Sequence, residues 1–351
     1  MTFPAGLPLT LGKPAALHEL AWQRNVAREV AQRQGLETGL LAPSTLHLFW
    51  DIFRLPPTST VVFIEKTMYP VGQWGSARAS LRGLPVVPFC PDNLPRLARL
   101  LHIYGQQGKT PWLVTDGWNL TAARPAPLTH YLTLLEPYPD GVLLLDDTQA
   151  FGVLGAGADA RLPLGYGGGG SLPFVGVQSP KIITITSLAK GLGVPVAVLA
   201  GSRAQLARFE RCSEVRVHTS QVSVPHAWAT RDALRHDARH GDTSRQQLWQ
   251  RIAQFRRELT AVGIQPQGGI FPVQKLRLPR ATAALSLYQQ LRQEGIRALL
   301  LADERRPAVP QVAFCLRADH SAADINRAVH CLKAAARGLD WLSFTSTSSL
   351  P

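Results

Sequence analysis

The sequence predicts an α/β fold, with a large domain on a mainly parallel sheet followed by a smaller α+β domain. Three observations carry this expectation. Short apolar runs recur between residues 59 and 201, helical patterns separate them, and the order of elements changes after about residue 240. At 351 residues the chain is longer than one simple core needs, so two compact parts are expected.

The strands come first. "STVVFIE" (59–65), "LPVVPF" (84–89), "PWLVTD" (111–116), "GVLLLDD" (141–147), "KIITITS" (181–187) and "VPVAVLAG" (194–201) are mostly continuous in apolar character rather than alternating. That suits strands covered on both faces. The patterns of "NLPRLARLLHIYG" and "APLTHYLTLLEPY" predict helices between them, and "LLAPSTLHLFWDIF" reads as a loop delivering a helix with Pro43 and Ser44 at its first turn. Beyond residue 240 the sequence predicts a long amphipathic helix at about 243–262. The stretch "GGIFPVQKLRL" follows, then a helix at "AALSLYQQLRQEG", strands at "IRALLLA" and "PQVAFCLRA", and a last helix at "SAADINRAVHCLKAAARG". The expected organisation is an N-terminal segment (1–37), a large domain (38–240), a small domain (241–340) and a frayed Ser/Thr-rich tail (341–351).

Composition narrows the function classes. With 45% hydrophobic, 17% charged and 7% aromatic residues the chain is an ordinary globular protein. No stretch approaches the roughly 18 uninterrupted apolar residues of a membrane span. The start, "MTFPAGLPLTLGK", lacks a basic region followed by an apolar one, so a cytoplasmic protein with no membrane partner is expected. Cys90, Cys212, Cys315 and Cys331 have no C-x-x-C spacing and read as free core thiols.

The net charge of +13 raises nucleic acid as a partner. The arginines, however, alternate with apolar residues at helical spacing, as on solvated helix faces, and no helix-turn-helix, RRM or zinc-finger pattern is present. No nucleic-acid partner is expected. The stretch Gly165 to Gly170 satisfies G-x-G-x-x-G but follows "RLPL" rather than a strand, and reads as a flexible loop instead of a dinucleotide site. The histidines show no ligand spacing, so no metal site is assigned.

Ligands of α/β sheets gather at the carboxyl ends of strands, and Asp146 and Lys190 both fall there. Asp146 closes "GVLLLD"; Lys190 follows "KIITITS" by two residues. A lysine in a partly desolvated setting carries charge less readily, which makes its amine a usable nucleophile towards carbonyls. An aspartate at a neighbouring strand end can hold a protonated pyridine nitrogen, and the two together meet the requirement of pyridoxal phosphate chemistry. Asp147 reads as a helix or turn cap beside Asp146.

The order "VLLLDDTQAFGVLG" and then "TSLAKGLG" resembles the fold-type I pyridoxal phosphate enzymes of the aminotransferase class I/II superfamily. Within them it is similar to the α-oxoamine synthase group. The likeness runs from about residue 14 to 336 and is strongest at these two motifs. It implies an aspartate-aminotransferase-like fold, pyridoxal 5'-phosphate as cofactor, a homodimer, and decarboxylative condensation of an amino acid with an acyl-CoA or acyl-carrier thioester. By the same resemblance Asp146 takes the pyridine-nitrogen position, Lys190 the cofactor-bearing position, and Ser187 supplies a hydroxyl to the phosphate. Ser44 and Thr45, at a helix N-terminus, are candidates for the phosphate cup. Tyr69 falls where the group stacks a histidine on the ring, and Thr219 or Ser220 would reach the phosphate of the neighbouring subunit.

The chain departs from the group at four places, one of them a longer stretch, "LPLGYGGGGSLPF", between Asp146 and Lys190. Gln149 stands where a histidine would contact the phenolic oxygen; it can donate a hydrogen bond but cannot exchange a proton near neutral pH. Ala313 takes the place of an arginine that grips the substrate carboxylate, with Arg317 nearby but displaced. The segment ahead of the first shared region is short. Loss of the arginine leaves two alternatives: an aminotransferase or other pyridoxal phosphate reaction on an amine without an α-carboxylate, or a non-catalytic homologue serving as a partner subunit.

Overall fold

A computed structural model of the chain describes residues 9–10, 12–17, 19–302, 306 and 308–338; the expected tail at 341–351 lies outside them. Packing divides the chain into two units, one of residues 1–119 and 125–242, the other of residues 120–124 and 243–351.

The first unit runs through α1 (Ala21–Arg33), β1 (Thr38–Ala42), α2 (Thr45–Ile52), β2 (Thr60–Glu65), α3 (Pro70–Leu81), β3 (Val86–Phe89), α4 (Leu94–Gln106) and β4 (Thr110–Asp116). After the two-residue strands β5 (Trp118–Asn119) and β6 (Arg124–Pro125) come α5 (Leu128–Leu135), β7 (Val142–Asp146), α6 (Ser171–Val175), β8 (Ile182–Ser187), β9 (Ala197–Gly201), α7 (Arg203–Cys212) and α8 (Glu214–His218). Seven strands form one sheet in the order β1-β9-β8-β7-β4-β2-β3. The β2–β3, β2–β4, β4–β7 and β7–β8 pairs are parallel, and β9 runs antiparallel to both β8 and β1. The expected mainly parallel sheet is therefore observed.

Because side chains alternate across a strand, each strand feeds two cores. Val61, Phe63, Leu113, Leu143 and Leu145 pack on one face with Val26, Ala27 and Val30 of α1. Val62, Ile64, Val114, Leu144 and Ile185 pack on the other with Leu48, Phe49 and Ile52 of α2. All five residues of β7 are buried, which is why that strand reads as a continuous apolar run. Each such aliphatic side chain contributes roughly 1.5–3 kcal/mol on burial. Capping follows the sequence locally: the Asn93 side chain accepts from Arg96 N (3.0 Å) ahead of α4, and Ser202 and Gln205 form a capping box on α7.

Three expectations are corrected here. Leu40 to Ala42, read as a loop, belong to β1, whose antiparallel register with β9 runs from Thr38↔Gly201 to Ala42↔Ala197. The glycine-rich stretch is held in place by backbone hydrogen bonds from Gly152 N to Gly168 O (2.7 Å), Tyr166 N to Ala156 O (2.8 Å) and Gly170 N to Leu154 O (2.8 Å). Positive φ at Gly165, Gly167, Gly168 and Gly170 shows that its glycines serve a tight path. None of the four cysteines is in a disulfide, and they are not core residues: Cys90 and Cys315 are exposed, and Cys212 and Cys331 half-buried.

The long helix α9 (Val224–Thr260, 37 residues) begins well before the expected residue 243. In the second unit β10 (Val273–Leu276), β11 (Leu299–Leu301) and β12 (Gln311–Cys315) form an antiparallel sheet with β12 central. α10 (Ala281–Gln293) and α11 (Ala322–Gly338) complete the expected α+β layout. Its core includes Phe255 and Phe314, with ring centroids 5.2 Å apart. Among the described residues no helix is long and apolar enough to cross a membrane.

Candidate active site

The α2 face of the large sheet changes character at its carboxyl edge. Val114, Leu144 and Ile185 belong to the apolar core, and two residues further along the same strands stand Asp116, Asp146 and Ser187. Period-two alternation puts all three on the same face. Asp116 and Asp146 are direct register partners on β4 and β7, while Asp146 pairs with Ile185 of β8.

Asp146 is buried, and Thr148 N donates to its Oδ1 at 3.0 Å. Burial pushes its carboxyl above the usual carboxylate range, while the Thr148 hydroxyl and amide and the Lys190 charge pull it back. Thr148 Oγ1 also accepts from Ser187 N (2.9 Å), so one buried threonine joins the ends of β7 and β8. The Ser187 hydroxyl itself accepts from Ala189 N at 3.4 Å.

Lys190 sits in the turn after β8, with Nζ 5.3 Å from the centroid of the Tyr69 ring. It is exposed rather than partly desolvated, because it lies beyond the strand end and not within it. Tyr69 is the N-cap residue of α3, and its backbone N donates to Asp116 Oδ2 at 3.1 Å. The Asp146 loop and the Lys190 turn touch backbone to backbone: a Cβ added at Gly191 would lie 2.3 Å from the Phe151 carbonyl oxygen. Gln149 is half-buried on that same loop.

Asp147 points away from this group. Its fully buried carboxylate accepts from Ser171 N (3.1 Å), the Ser171 hydroxyl and Gln34 Nε2 (3.4 Å). Burial pushes it up to about 7 against those donors. Because Ser171 opens α6, Asp147 tethers a helix start from a distance, close to the cap expected of it.

Ser44 is the N-cap residue of α2, its hydroxyl 2.7 Å from His47 Nδ1, and Thr45 is the first residue of that helix. Thr219 closes α8 by donating its hydroxyl to Val215 O (2.7 Å), and Ser220 is exposed. Both line a cleft with Pro43 and His47, which brings them to the turn where β1 becomes α2. In the second unit, Ala313 is fully buried at the centre of β12, between Lys275 and Leu299. Arg317 lies past the end of β12, exposed, and is paired with Asp319 through bonds of 2.9 and 2.6 Å.

Sequence reasoning missed Asp116 and Thr148. "PWLVTD" ends in aspartate as "GVLLLD" does, so the signal was present, but adjacency of the two strands is a tertiary fact. Thr148 lay inside the quoted motif between Asp146 and Gln149.

The profile of the family "Aminotransferase class I and II" matches residues 90–332, well over half the chain. The chain belongs to the class I and II aminotransferase family. Among relatives within this aminotransferase family, a putative 8-amino-7-oxononanoate synthase of Thermosynechococcus vestitus is 30% identical over 247 residues, covering 69% of this chain and 59% of that protein. An 8-amino-7-oxononanoate synthase of Thioalkalivibrio sulfidiphilus gives the same identity and coverage. The chain thus spans about 59% of the length of these two relatives. Among solved structures, a serine palmitoyltransferase of Sphingomonas wittichii superposes with a TM-score of 0.79 at 14% identity, covering 94% of this chain and 80% of that one. An 8-amino-7-oxononanoate synthase of Francisella tularensis superposes at 0.70 and 18%, covering 91% and 88%. The expected fold-type I architecture and the likeness to the α-oxoamine synthase group are thereby shown.

Proposed function

We propose that this chain is a pyridoxal-phosphate-dependent transferase that condenses an amino acid with an acyl thioester and releases carbon dioxide. The observation that carries the reading is the grouping of Asp146, Lys190 and Tyr69: a buried carboxyl under the charge of a primary amine, with an aromatic ring beneath that amine. This donor set fits pyridoxal phosphate, which needs an amine for its carbonyl, an acid for its ring nitrogen and a flat surface for its ring. When bound, the cofactor supplies an electron-accepting ring that stabilises negative charge at a substrate α-carbon.

The chain's own residues divide the remaining work. The Lys190 amine holds the cofactor carbonyl and then moves a proton at the substrate α-carbon. Asp146, held by Thr148, keeps the ring nitrogen protonated. Tyr69 packs on the ring face, and the Gln149 amide donates to the phenolic oxygen. Ser187, with Ser44 and Thr45 at the α2 N-terminus, takes the phosphate, as helix starts favour anions. Thr219 or Ser220 reaches the phosphate of a second copy. A cytoplasmic homodimer is part of this reading, supported by the exposed Leu46, Trp50, Trp74 and Val217 on α2, α3 and α8.

Ala313 and Arg317 favour a second reading. A buried alanine at the position of the substrate-gripping arginine, with Arg317 already tied to Asp319, suits an amine substrate without an α-carboxylate. A non-catalytic partner subunit is the third.

The test is the absorption spectrum of purified protein with pyridoxal phosphate, for the native chain and Lys190→Ala, before and after borohydride. A visible band fixed covalently in the native chain only supports the enzyme readings. Release of coenzyme A or carrier thiol in the presence of an amino acid then supports condensation. Conversion to the pyridoxamine form without thioester supports transamination. Absence of any lysine-dependent band overturns both and leaves the partner subunit.

A further inference from the structure

The acid next to Asp146 has no role in the reading above. We propose that Asp116 is a positioning residue of this site that holds a proton beside Asp146 and anchors Tyr69 under Lys190. This rests on the pyridoxal phosphate reading for its purpose, though not for its first measurement.

The geometry begins with register. Asp116 and Asp146 are paired positions on adjacent parallel strands and face the same way, and two carboxylates so placed at a buried edge cannot both ionise at little cost. The surroundings decide which one keeps the proton. Asp146 receives the Thr148 amide and hydroxyl and the Lys190 charge. Asp116 receives one backbone donor, Tyr69 N at 3.1 Å, and the Lys190 charge. A second acid, Glu65 of β2, adds its charge from the opposite face of the sheet, where it is held by the hydroxyls of Thr67 and Thr115 and by Asn119 Nδ2 at 2.7 Å. The groups around Asp116 are therefore Asp146 from β7, Glu65 from β2, Lys190 from the turn after β8, and the α3 N-terminus at Tyr69. Burial, and then the two acids, outweigh one amide and one lysine, and the Asp116 carboxyl is held well above the usual carboxylate range.

The consequence is a division of labour. A neutral Asp116 leaves Asp146 as the ionised member of the pair, the form needed opposite a protonated ring nitrogen. Its bond to Tyr69 N fixes the residue whose ring lies 5.3 Å from Lys190 Nζ. It also places a titratable group in a site where Gln149 has none to offer.

The test has two arms. In cofactor-free protein labelled with 13C-aspartate, the carboxyl resonance that disappears in both Asp116→Asn and Asp116→Glu is titrated in the native chain. It should remain protonated at least one pH unit above the exposed aspartates; titration together with them overturns the proposal. In protein loaded with pyridoxal phosphate, the pH midpoint of the visible band should stay near native in Asp116→Asn, a neutral group that can still accept from Tyr69 N, and move by at least one unit in Asp116→Ala, which accepts nothing. Superimposable profiles for all three overturn the positioning role. If the native chain shows no lysine-dependent band, the transferase reading fails by itself, and the first arm still decides whether Asp116 holds its proton.

Discussion

Lys190 Nζ lies 5.3 Å from the centroid of the Tyr69 ring, a cation–π arrangement between the turn after β8 and the residue that opens α3. An exposed lysine is thus kept over an aromatic surface that a planar ligand can share. Aromatic contacts of this kind contribute about 0.5–1.5 kcal/mol. Tyr69→Ala should weaken pyridoxal phosphate retention roughly three- to tenfold by equilibrium dialysis, with Tyr69→Phe close to native. Equal retention in all three would remove the ring from the site.

Thr148 carries two bonds at once, accepting from Ser187 N at 2.9 Å and engaging Asp146. Thr148→Val keeps the shape and leaves a backbone donor unpaired, which costs about 1–3 kcal/mol. A lower urea midpoint and reduced borohydride-fixed cofactor are expected, both recovered in Thr148→Ser.

Gly191 is dictated by close approach, since its added Cβ would stand 2.3 Å from the Phe151 oxygen and 3.1 Å from Gly152 Cα. Gly191→Ala must part the two turns that carry Asp146 and Lys190. A loss of about 1–3 kcal/mol by chemical denaturation is expected, together with a fall in lysine-dependent cofactor retention.

Asp147 makes stability depend on pH. Its folded pKa is about 7 against an ordinary value of 3.8, so between those values the folded chain binds a proton that the unfolded chain releases. Its stabilising effect is complete below about pH 4 and is lost as pH rises through about 7, by up to roughly 1.4 kcal/mol per pH unit. The melting temperature of the native chain minus that of Asp147→Asn should fall steadily across this window. A flat difference would show that Asp147 does not hold its proton.

Much of this was legible from residue order. Six apolar runs became β2, β3, β4, β7, β8 and β9 because a strand covered on both faces must be apolar at nearly every position. Strand β1 escaped because "TGLLA" has no β-branched side chain after its first residue, and its place comes from backbone pairing with β9. The cysteines were misjudged because composition says nothing of which side of a sheet or helix a residue occupies.

At the candidate site the division is sharper. Residue order is enough to place Asp146 at the end of a buried strand and Lys190 after another, since both facts depend on local pattern. Folding is what sets Asp116 beside Asp146, bridges Thr148 to Ser187, turns Asp147 to the opposite face and leaves Lys190 exposed above Tyr69. Strand neighbours are separated by up to dozens of residues in the chain, so local pattern does not reveal them. Which carboxyl keeps a proton depends on charges and donors that only the folded sheet edge brings within reach.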